Sequence, residues 1–98
     1  MAHVRMEPEA RKALILDAAY KLVKKQGFKK ATRTAIAEAA GVTAGLVGVY
    51  FGKRAELRTT LFKLAVDNKD VKLIRDGLDL GIGEGVRIPK DLRAAATR

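Results

Sequence analysis

The side chains of this 98-residue chain that could do chemistry are mostly basic, and they are concentrated in its first 60 residues. Lys and Arg total 20 against 11 Asp and Glu, which gives a formal net charge of +9. Residues 1–60 hold 12 of the basic and 5 of the acidic residues, a net charge of +7, whereas residues 61–98 hold 8 and 6. Such a charge favours a polyanionic partner, with nucleic acid ahead of an anionic membrane surface.

The chain lacks most of the residue types that catalytic sites use. It has no Cys, no Ser and one histidine, His3, which excludes serine and cysteine nucleophiles, zinc sites built from Cys and His, and disulfide frameworks. The two carboxylate pairs have the positions of helix caps and solvated faces: Asp67 with Asp70, and Asp76 with Asp79. We therefore expect a protein that is not an enzyme and that binds no cofactor and no metal.

The length of the chain and its lack of long apolar runs limit where it acts and how it is built. No stretch has the apolar length of a secretory signal or a membrane span, so we expect a cytoplasmic protein with no membrane partner. Ninety-eight residues suffice for one small domain with a single modest core.

The hydrophobic spacing is helical along most of the chain. Between Pro8 and Gly27 the apolar residues fall on one side of a helical wheel and lysines lie opposite, which predicts an amphipathic first helix with a basic outer face. Those lysines could contact DNA or could form an ordinary solvated face. Residues 1–8 are interpreted as a flexible arm, and residues 28–31 as a polar connector.

Residues 36–51, IAEAAGVTAGLVGVYF, have the spacing of two short helices that cross at a tight turn. Ala37 is small enough for the crossing, Gly41 tolerates the positive φ of a sharp turn, and Val42 and Val47 close the core beneath it. A threonine precedes each helix as a typical N-cap, at positions 32 and 43. This pattern predicts a helix-turn-helix with its second helix at about residues 44–51.

Two nucleotide-binding motifs fit the glycines less well. A phosphate loop needs four residues between its first glycine and a Gly-Lys pair followed by Ser or Thr, but Gly48 and Gly52 enclose three residues and Arg54 follows Lys53. A dinucleotide fingerprint at residues 81–86 fails because Val86 occupies the place of its third glycine.

The remaining residues predict further helices near 54–66 and 68–80, a flexible loop at 81–85, an extended piece at 86–88 and a last helix at 89–96. The fold class is therefore all-α: a three-helix unit extended by one or two C-terminal helices. We divide the chain into an arm at residues 1–8, a DNA-binding domain at 9–57, and a tail at 58–98. The tail could cap the core, mediate dimerisation, or do both.

Residues 15–57 resemble the DNA-binding domain of the tetracycline-repressor (TetR) family of bacterial regulators. The residues that carry the resemblance are Ile15, Leu16, Ala18, Ala19, Leu22, Gly27, Thr32, Ile36, Ala37, Ala40, Gly41, Val42, Thr43, Gly45, Tyr50, Phe51, Glu56 and Leu57. The resemblance implies that the helix at 44–51 enters the major groove. It also implies phosphate contacts from Thr32, Thr43 and Tyr50, with Arg54 in place of the family's lysine. We interpret Phe51 as a core residue.

The predicted reading helix departs from the family, because Gly48 stands where a second aromatic is frequent. Leu46 and Val49 could touch thymine methyls and Gly45 permits close approach, so hydrogen bonds to bases must come from Arg33, Lys53 or the arm around Arg5. We expect affinity to rest mainly on phosphates and DNA shape. The predicted DNA-binding residues are Thr32, Arg33, Thr34, Thr43, Ala44, Gly45, Leu46, Val49, Tyr50, Lys53 and Arg54.

These observations predict a sequence-selective regulator that binds double-stranded DNA, most simply a repressor that occludes a promoter. The family usually carries a long helical ligand-binding domain, whereas 41 residues follow Leu57 here, so we expect no small-molecule inducer. A homodimer is expected because two small units on a palindrome bind far better than one. The alternative is an architectural or partition and replication protein with little sequence preference.

Overall fold

The computed structural model describes residues 7–97, and their regular structure is helical throughout. The α-helices are α1 (Pro8–Gln26), α2 (Arg33–Ala40), α3 (Ala44–Phe51), α4 (Arg54–Asp67), α5 (Val71–Asp79) and α6 (Lys90–Ala96), with a 3₁₀ helix at Phe28–Lys30. The predicted all-α class is confirmed, and the C-terminal extension comprises three helices. Most of the predicted arm, including His3 and Arg5, lies outside the described residues.

One apolar core joins all six α-helices, with Ala96 contributed by α6. Helix α1 contributes Ile15, Ala19 and Val23, which recur every four residues and are fully buried. The other fully or almost fully buried apolar residues of α2 to α5 are Ile36, Ala37, Val47, Phe51, Leu57, Leu61, Phe62, Ala65, Leu73 and Ile74. Each large aliphatic or aromatic side chain buried there contributes about 1.5–3 kcal/mol. Within residues 7–97, no polar or charged residue is fully buried.

Residues 28–31 are part of this core, so their prediction as a polar connector is wrong. Phe28 and Ala31 are fully buried, whereas Lys29 and Lys30 between them are exposed. The Phe28 ring lies 6.2 Å from the ring of Phe62, centroid to centroid, in a tilted arrangement. A single 3₁₀ turn is too short to show a hydrophobic period, which is why its lysines obscured the buried positions.

Long-range polar contacts attach α5 to the 3₁₀ helix and to α6. The Oδ2 atom of Asp76 accepts a 2.7 Å hydrogen bond from the backbone N–H of Phe28, so Asp76 does not belong to the solvated face predicted for it. Arg75 donates from Nε to the carbonyl of Ala96 at 2.9 Å and from Nη2 to that of Ala95 at 3.3 Å. These bonds fix α5 against the 3₁₀ helix and α6.

Helix α5 begins three residues later than the predicted 68–80. The carboxylate of Asp70 accepts a hydrogen bond from the backbone N–H of Leu73 at 3.2 Å and caps the helix, as the sequence predicted for this residue. Lys69, immediately before it, has a φ of 55°. Residues 68–70 therefore form a turn between α4 and α5.

Candidate nucleic-acid interface

Helices α2 and α3 meet at 107° across a three-residue turn, residues 41–43. Gly41 is in the left-handed region at φ 72° and ψ 33°, a conformation that glycine adopts without steric strain. The backbone N–H of Val42 donates to the carbonyl of Ala37 at 3.0 Å, which ends α2 with a compact C-terminal turn. Two helices at about 90–120° joined by a short glycine turn define a helix-turn-helix.

Threonine side chains cap both helices of this motif. Thr32 Oγ1 accepts a hydrogen bond from Ala35 N at 3.0 Å, and Thr43 Oγ1 accepts one from Leu46 N at 3.2 Å. Each capping oxygen is an acceptor in this bond, so its own O–H remains a donor that can rotate towards an anion. Both N-cap predictions are confirmed.

Small and branched apolar side chains fill the space where α2 crosses α3. Val47 and Ile36 are fully buried, Ala37 is 5% exposed, and Val42 is partly buried at the corner. The core role predicted for Phe51 is also confirmed, because that residue is 6% exposed. This packing orients α3 with one face on the core and the other outward.

The outward face of α3 consists of small and apolar residues. On a helical wheel of about 100° per residue, Gly45 and Val49 lie opposite the buried Val47 and Phe51. Gly45 is exposed and Val49 is 79% exposed, the highest value for a large apolar residue within the described range. Leu46 and Tyr50 are partly buried on one flank of this strip. Ala44 is partly buried at the N-terminal end of α3.

Basic residues lie on both sides of the helix corner, which comprises α2, α3 and their capping residues at positions 32–52. Lys53 and Arg54 are exposed at the start of α4, and Arg33 and Thr34 are exposed in the first turn of α2. Between positions 29 and 54 there are five Lys or Arg residues and one acidic residue, Glu38. The net charge of +4 over this segment makes the corner attractive to phosphates.

Arg54 is held in place by a contact that the sequence does not reveal. Its Nη2 donates to the backbone carbonyl of Lys29 at 2.8 Å, which links the start of α4 to the 3₁₀ helix. Within residues 7–97, no other hydrogen bond or ion pair involves this side chain. Its remaining guanidinium N–H groups can therefore bind an anion. Next to it, the backbone N–H of Lys53 donates to Glu56 Oε1 at 3.0 Å.

Arg33 reaches across to α3. A Cβ added to Gly48 would overlap Nη1 of Arg33 and would lie 3.6 Å from both Cδ and Cζ of that side chain. The arginine therefore occupies the space that a side chain at position 48 would take. This is the flank of α3 opposite to Leu46 and Tyr50, and it adjoins Gly45.

The lysines of α1 divide into two groups, which the sequence could not separate. Lys21 pairs with Asp17 at 3.1 Å and Lys24 with Asp70 at 3.4 Å, consistent with a solvated, internally paired face. Lys12, in contrast, has its ammonium 5.7 Å from the centroid of the Phe51 ring, at the end of α3. Lys12 therefore adjoins the corner and adds a positive charge there that the prediction missed.

Elsewhere the described residues offer less for a charged ligand. A groove of about 400 Å³ lies between the end of α1 and α5. Its charged lining has both signs: Lys24, Lys25, Lys72 and Arg75 with Asp70, Asp76 and Asp79.

Within residues 7–97, no group of three or more His, Cys, Asp or Glu side chains is placed to hold a metal ion. None of the single helices there has the length and apolarity to cross a membrane, and α2 with α3 meets that test only as a bent pair.

Comparison with known proteins agrees with this geometry. Residues 15–60 match the family model of bacterial regulatory proteins of the tetR family. The HTH-type transcriptional regulator BetI of Rhizobium meliloti (strain 1021) is 42% identical over an alignment that covers 68% of this chain and 35% of that protein. The chain thus spans about a third of the length of this curated relative. No solved structure matches the chain.

Proposed function

Residues 15–60 are a TetR-family N-terminal helix-turn-helix domain, and from this premise we propose that the chain binds double-stranded DNA and regulates transcription. The observation that supports this most strongly is the 107° angle between α2 and α3 across the Gly41 turn, with the outer face of α3 exposed. In motifs of this geometry the second helix lies in the major groove while the first crosses the backbone. Here α3 is that second helix.

Phosphate contacts come from the hydroxyl and basic groups around the corner. Thr32 and Thr43 each have a free O–H beside a helix N-terminus, where the partial positive charge of the backbone also favours an anion. Tyr50 lies on a flank of α3, and Lys53 and Arg54 are exposed three and four residues after it. Thr34 is exposed in the first turn of α2. These residues position α3 but carry no sequence information by themselves.

Contacts to base edges come from the exposed strip of α3 and from its partly buried neighbours Ala44 and Leu46. Val49 and Leu46 present methyl groups that can pack on the methyl of thymine in the major groove. Ala44 and Gly45 have little or no side chain, so the helix backbone can approach the base edges closely.

We further propose that the protein is a repressor that occludes a promoter as a homodimer, located in the cytoplasm and with the nucleoid when bound. A single unit makes few phosphate contacts, and a second unit on a palindrome raises affinity through effective concentration. Size-exclusion chromatography with light scattering tests the dimer, which a monomer at high micromolar concentration would contradict. The absence of a small-molecule inducer stays a prediction, and a compound that releases the protein from its operator would refute it.

The experiment that tests the main proposal is selection of bound fragments from a random duplex library, followed by titration of the enriched duplex at several salt concentrations. Each phosphate contact lowers the slope of log K against log salt by about 0.9. Arg54→Ala should weaken binding to all duplexes by about 1–2 kcal/mol and flatten that slope, because a charged hydrogen bond is lost. Arg54→Lys, which keeps the charge, is the matched control.

A second candidate function is supported by the apolar composition of the α3 strip together with the net charge of +9. An architectural or partition and replication protein would coat or bend DNA with little sequence preference. Competition between the enriched duplex and random DNA of equal length separates the two. A repressor prefers its site by a factor of about 10³ or more, whereas equal affinity for both duplexes supports the architectural function.

A further inference from the structure

The outer face of α3 has almost no means of forming hydrogen bonds with bases. Among residues 44–51, only Tyr50 has a side chain with a polar hydrogen or acceptor, and that residue lies on a flank. Discrimination of base pairs in the major groove depends on paired donors and acceptors, above all the bidentate contact of Arg with O6 and N7 of guanine. A reading helix with this sequence needs a donor from elsewhere.

A side chain of α2 provides such a donor at the surface of α3. Arg33 is the first residue of α2 and is exposed, and its guanidinium lies against Gly48. Within residues 7–97, no hydrogen bond or ion pair involves its side chain. The guanidinium therefore lies on the Gly48 flank of α3, next to the exposed strip, with its five N–H donors unsatisfied by that part of the protein.

Gly48 is what makes this position available. A side chain there would overlap Nη1 of Arg33, yet glycine in a helix interior is less favourable than alanine. The obstructed group is the far end of a flexible side chain, so a methyl group at position 48 would displace the guanidinium while leaving the backbone of α2 and α3 in place. Gly48 thus lowers the helix propensity of α3 locally and leaves space for the side chain of Arg33 from the neighbouring helix.

We propose that Arg33 is the main base-reading residue of the protein, recognising a guanine in the major groove, and that Gly48 is its positioning residue. This inference rests on the proposed DNA-binding function and deepens it, since it names the residue that determines specificity. The guanidinium fork matches the O6 and N7 acceptors of guanine, and its place on α3 carries it into the groove with that helix. The α2 residue and the α3 glycine act as one recognition element.

The test is a set of binding titrations on the enriched duplex and on versions with each base pair changed in turn. The proteins are the wild type, Arg33→Ala, Arg33→Lys, Gly48→Ala and the double variant Arg33→Ala/Gly48→Ala. Arg87→Ala is the matched control, because it removes the same charge from an exposed site beside Lys63 and Asp67, near the C-terminal end of α4. Thermal unfolding of every variant shows that it is folded, and Gly48→Ala should melt at the same temperature as the wild type or higher.

We expect Arg33→Ala and Arg33→Lys to lose the preference for guanine at one position by about ten- to a hundredfold. Arg33→Lys should retain the salt dependence, since lysine keeps the charge but lacks the planar fork. Gly48→Ala should reduce the same preference when Arg33 is present and have no further effect on it in the Arg33→Ala background. Arg87→Ala should leave the preference for guanine intact.

Four results would overturn the inference. An unchanged guanine preference in both Arg33 variants, or a wild type that binds duplexes without any base preference, would show that Arg33 does not read sequence, while DNA binding itself would stand. Equal effects of Gly48→Ala with and without Arg33 would show that the glycine does not act through the arginine. If the wild type binds no duplex at all, the proposed function fails and the inference fails with it.

Discussion

The helix corner of residues 32–52 and the C-terminal half of residues 54–97 are held together by contacts of very different range. In the corner, Thr32 bonds to Ala35, Thr43 to Leu46 and Val42 to Ala37, all within five residues. In the C-terminal half, Asp76 bonds to Phe28 and Arg75 to Ala96, across 48 and 21 residues. The corner is thus specified locally, whereas the C-terminal half is specified by what it packs against.

This difference assigns separate tasks to the two regions. The corner exposes an apolar strip and basic groups, so its surface can serve recognition while short-range caps maintain its shape. The C-terminal half places Phe62 against Phe28 and joins the 3₁₀ helix to α5. Substitutions in the C-terminal half should therefore change stability most, and those in the corner should change it least.

The largest effect is expected for Phe62→Ala. Phe62 is fully buried, and loss of a buried phenylalanine costs about 3–5 kcal/mol through lost transfer energy and the cavity left behind. Urea unfolding, monitored by circular dichroism, measures this loss of stability. A single transition shifted to lower urea would show that both regions unfold together. Survival of a folded corner after the C-terminal half has unfolded would instead make the two regions independent.

Asp76→Ala tests the hydrogen bond that joins α5 to the 3₁₀ helix. It removes the acceptor of the Phe28 N–H, and a donor left unsatisfied in a partly buried site costs about 1–3 kcal/mol. Asp76→Asn keeps a side-chain oxygen at that place and should cost less than the alanine variant. Equal losses for the two variants in thermal unfolding would argue against this hydrogen bond as the cause.

The same substitution at two glycines should have opposite effects in the two regions. A Cβ at Gly77 in α5 would overlap the fully buried Phe62 ring, which cannot move aside, so Gly77→Ala should destabilise by about 1–2 kcal/mol net. A Cβ at Gly45 in α3 meets only Thr43 Oγ1, at 4.0 Å, so Gly45→Ala should stabilise by about 0.5–1 kcal/mol. Changes of the same sign in the melting temperature would contradict the comparison.

A similarly small effect is expected at a helix cap of the corner. Thr43→Ala should lower stability by about 1 kcal/mol, because the N–H of Leu46 loses its acceptor. Thr59 is the matched control in α4, where its hydroxyl donates to the carbonyl of Ala55 four residues before it. Thr59→Ala removes no cap and replaces threonine with a better helix former, so chemical denaturation should show no loss of stability.

The corner could be predicted from the sequence because its determinants are close together in the chain. Thr32, Gly41 and Thr43 mark helix ends by their residue types, and the apolar spacing between them indicates which side is buried. The bounds of α3 were therefore predicted correctly at residues 44–51.

The rest of the fold and site could not be predicted, because it depends on residues far apart in sequence. The burial of Phe28 depends on Phe62, and the orientation of Asp76 depends on a backbone N–H 48 residues away. In the site, the sequence alone shows Gly48 as a weak point of α3, whereas in the structure Arg33 occupies the space beside it. A local pattern gives no information on where a long side chain from another helix will lie.

The hydrogen bond from Arg54 to the carbonyl of Lys29 affects the thermodynamics of association. A free arginine loses about 2 kcal/mol of rotamer entropy when it is immobilised on a ligand. Because folding has already restricted the torsions of Arg54, a phosphate that binds it causes little further loss of that kind. The heat released on complex formation at this residue should therefore be opposed by a smaller entropy change than at Lys53, whose ammonium makes no ion pair within residues 7–97.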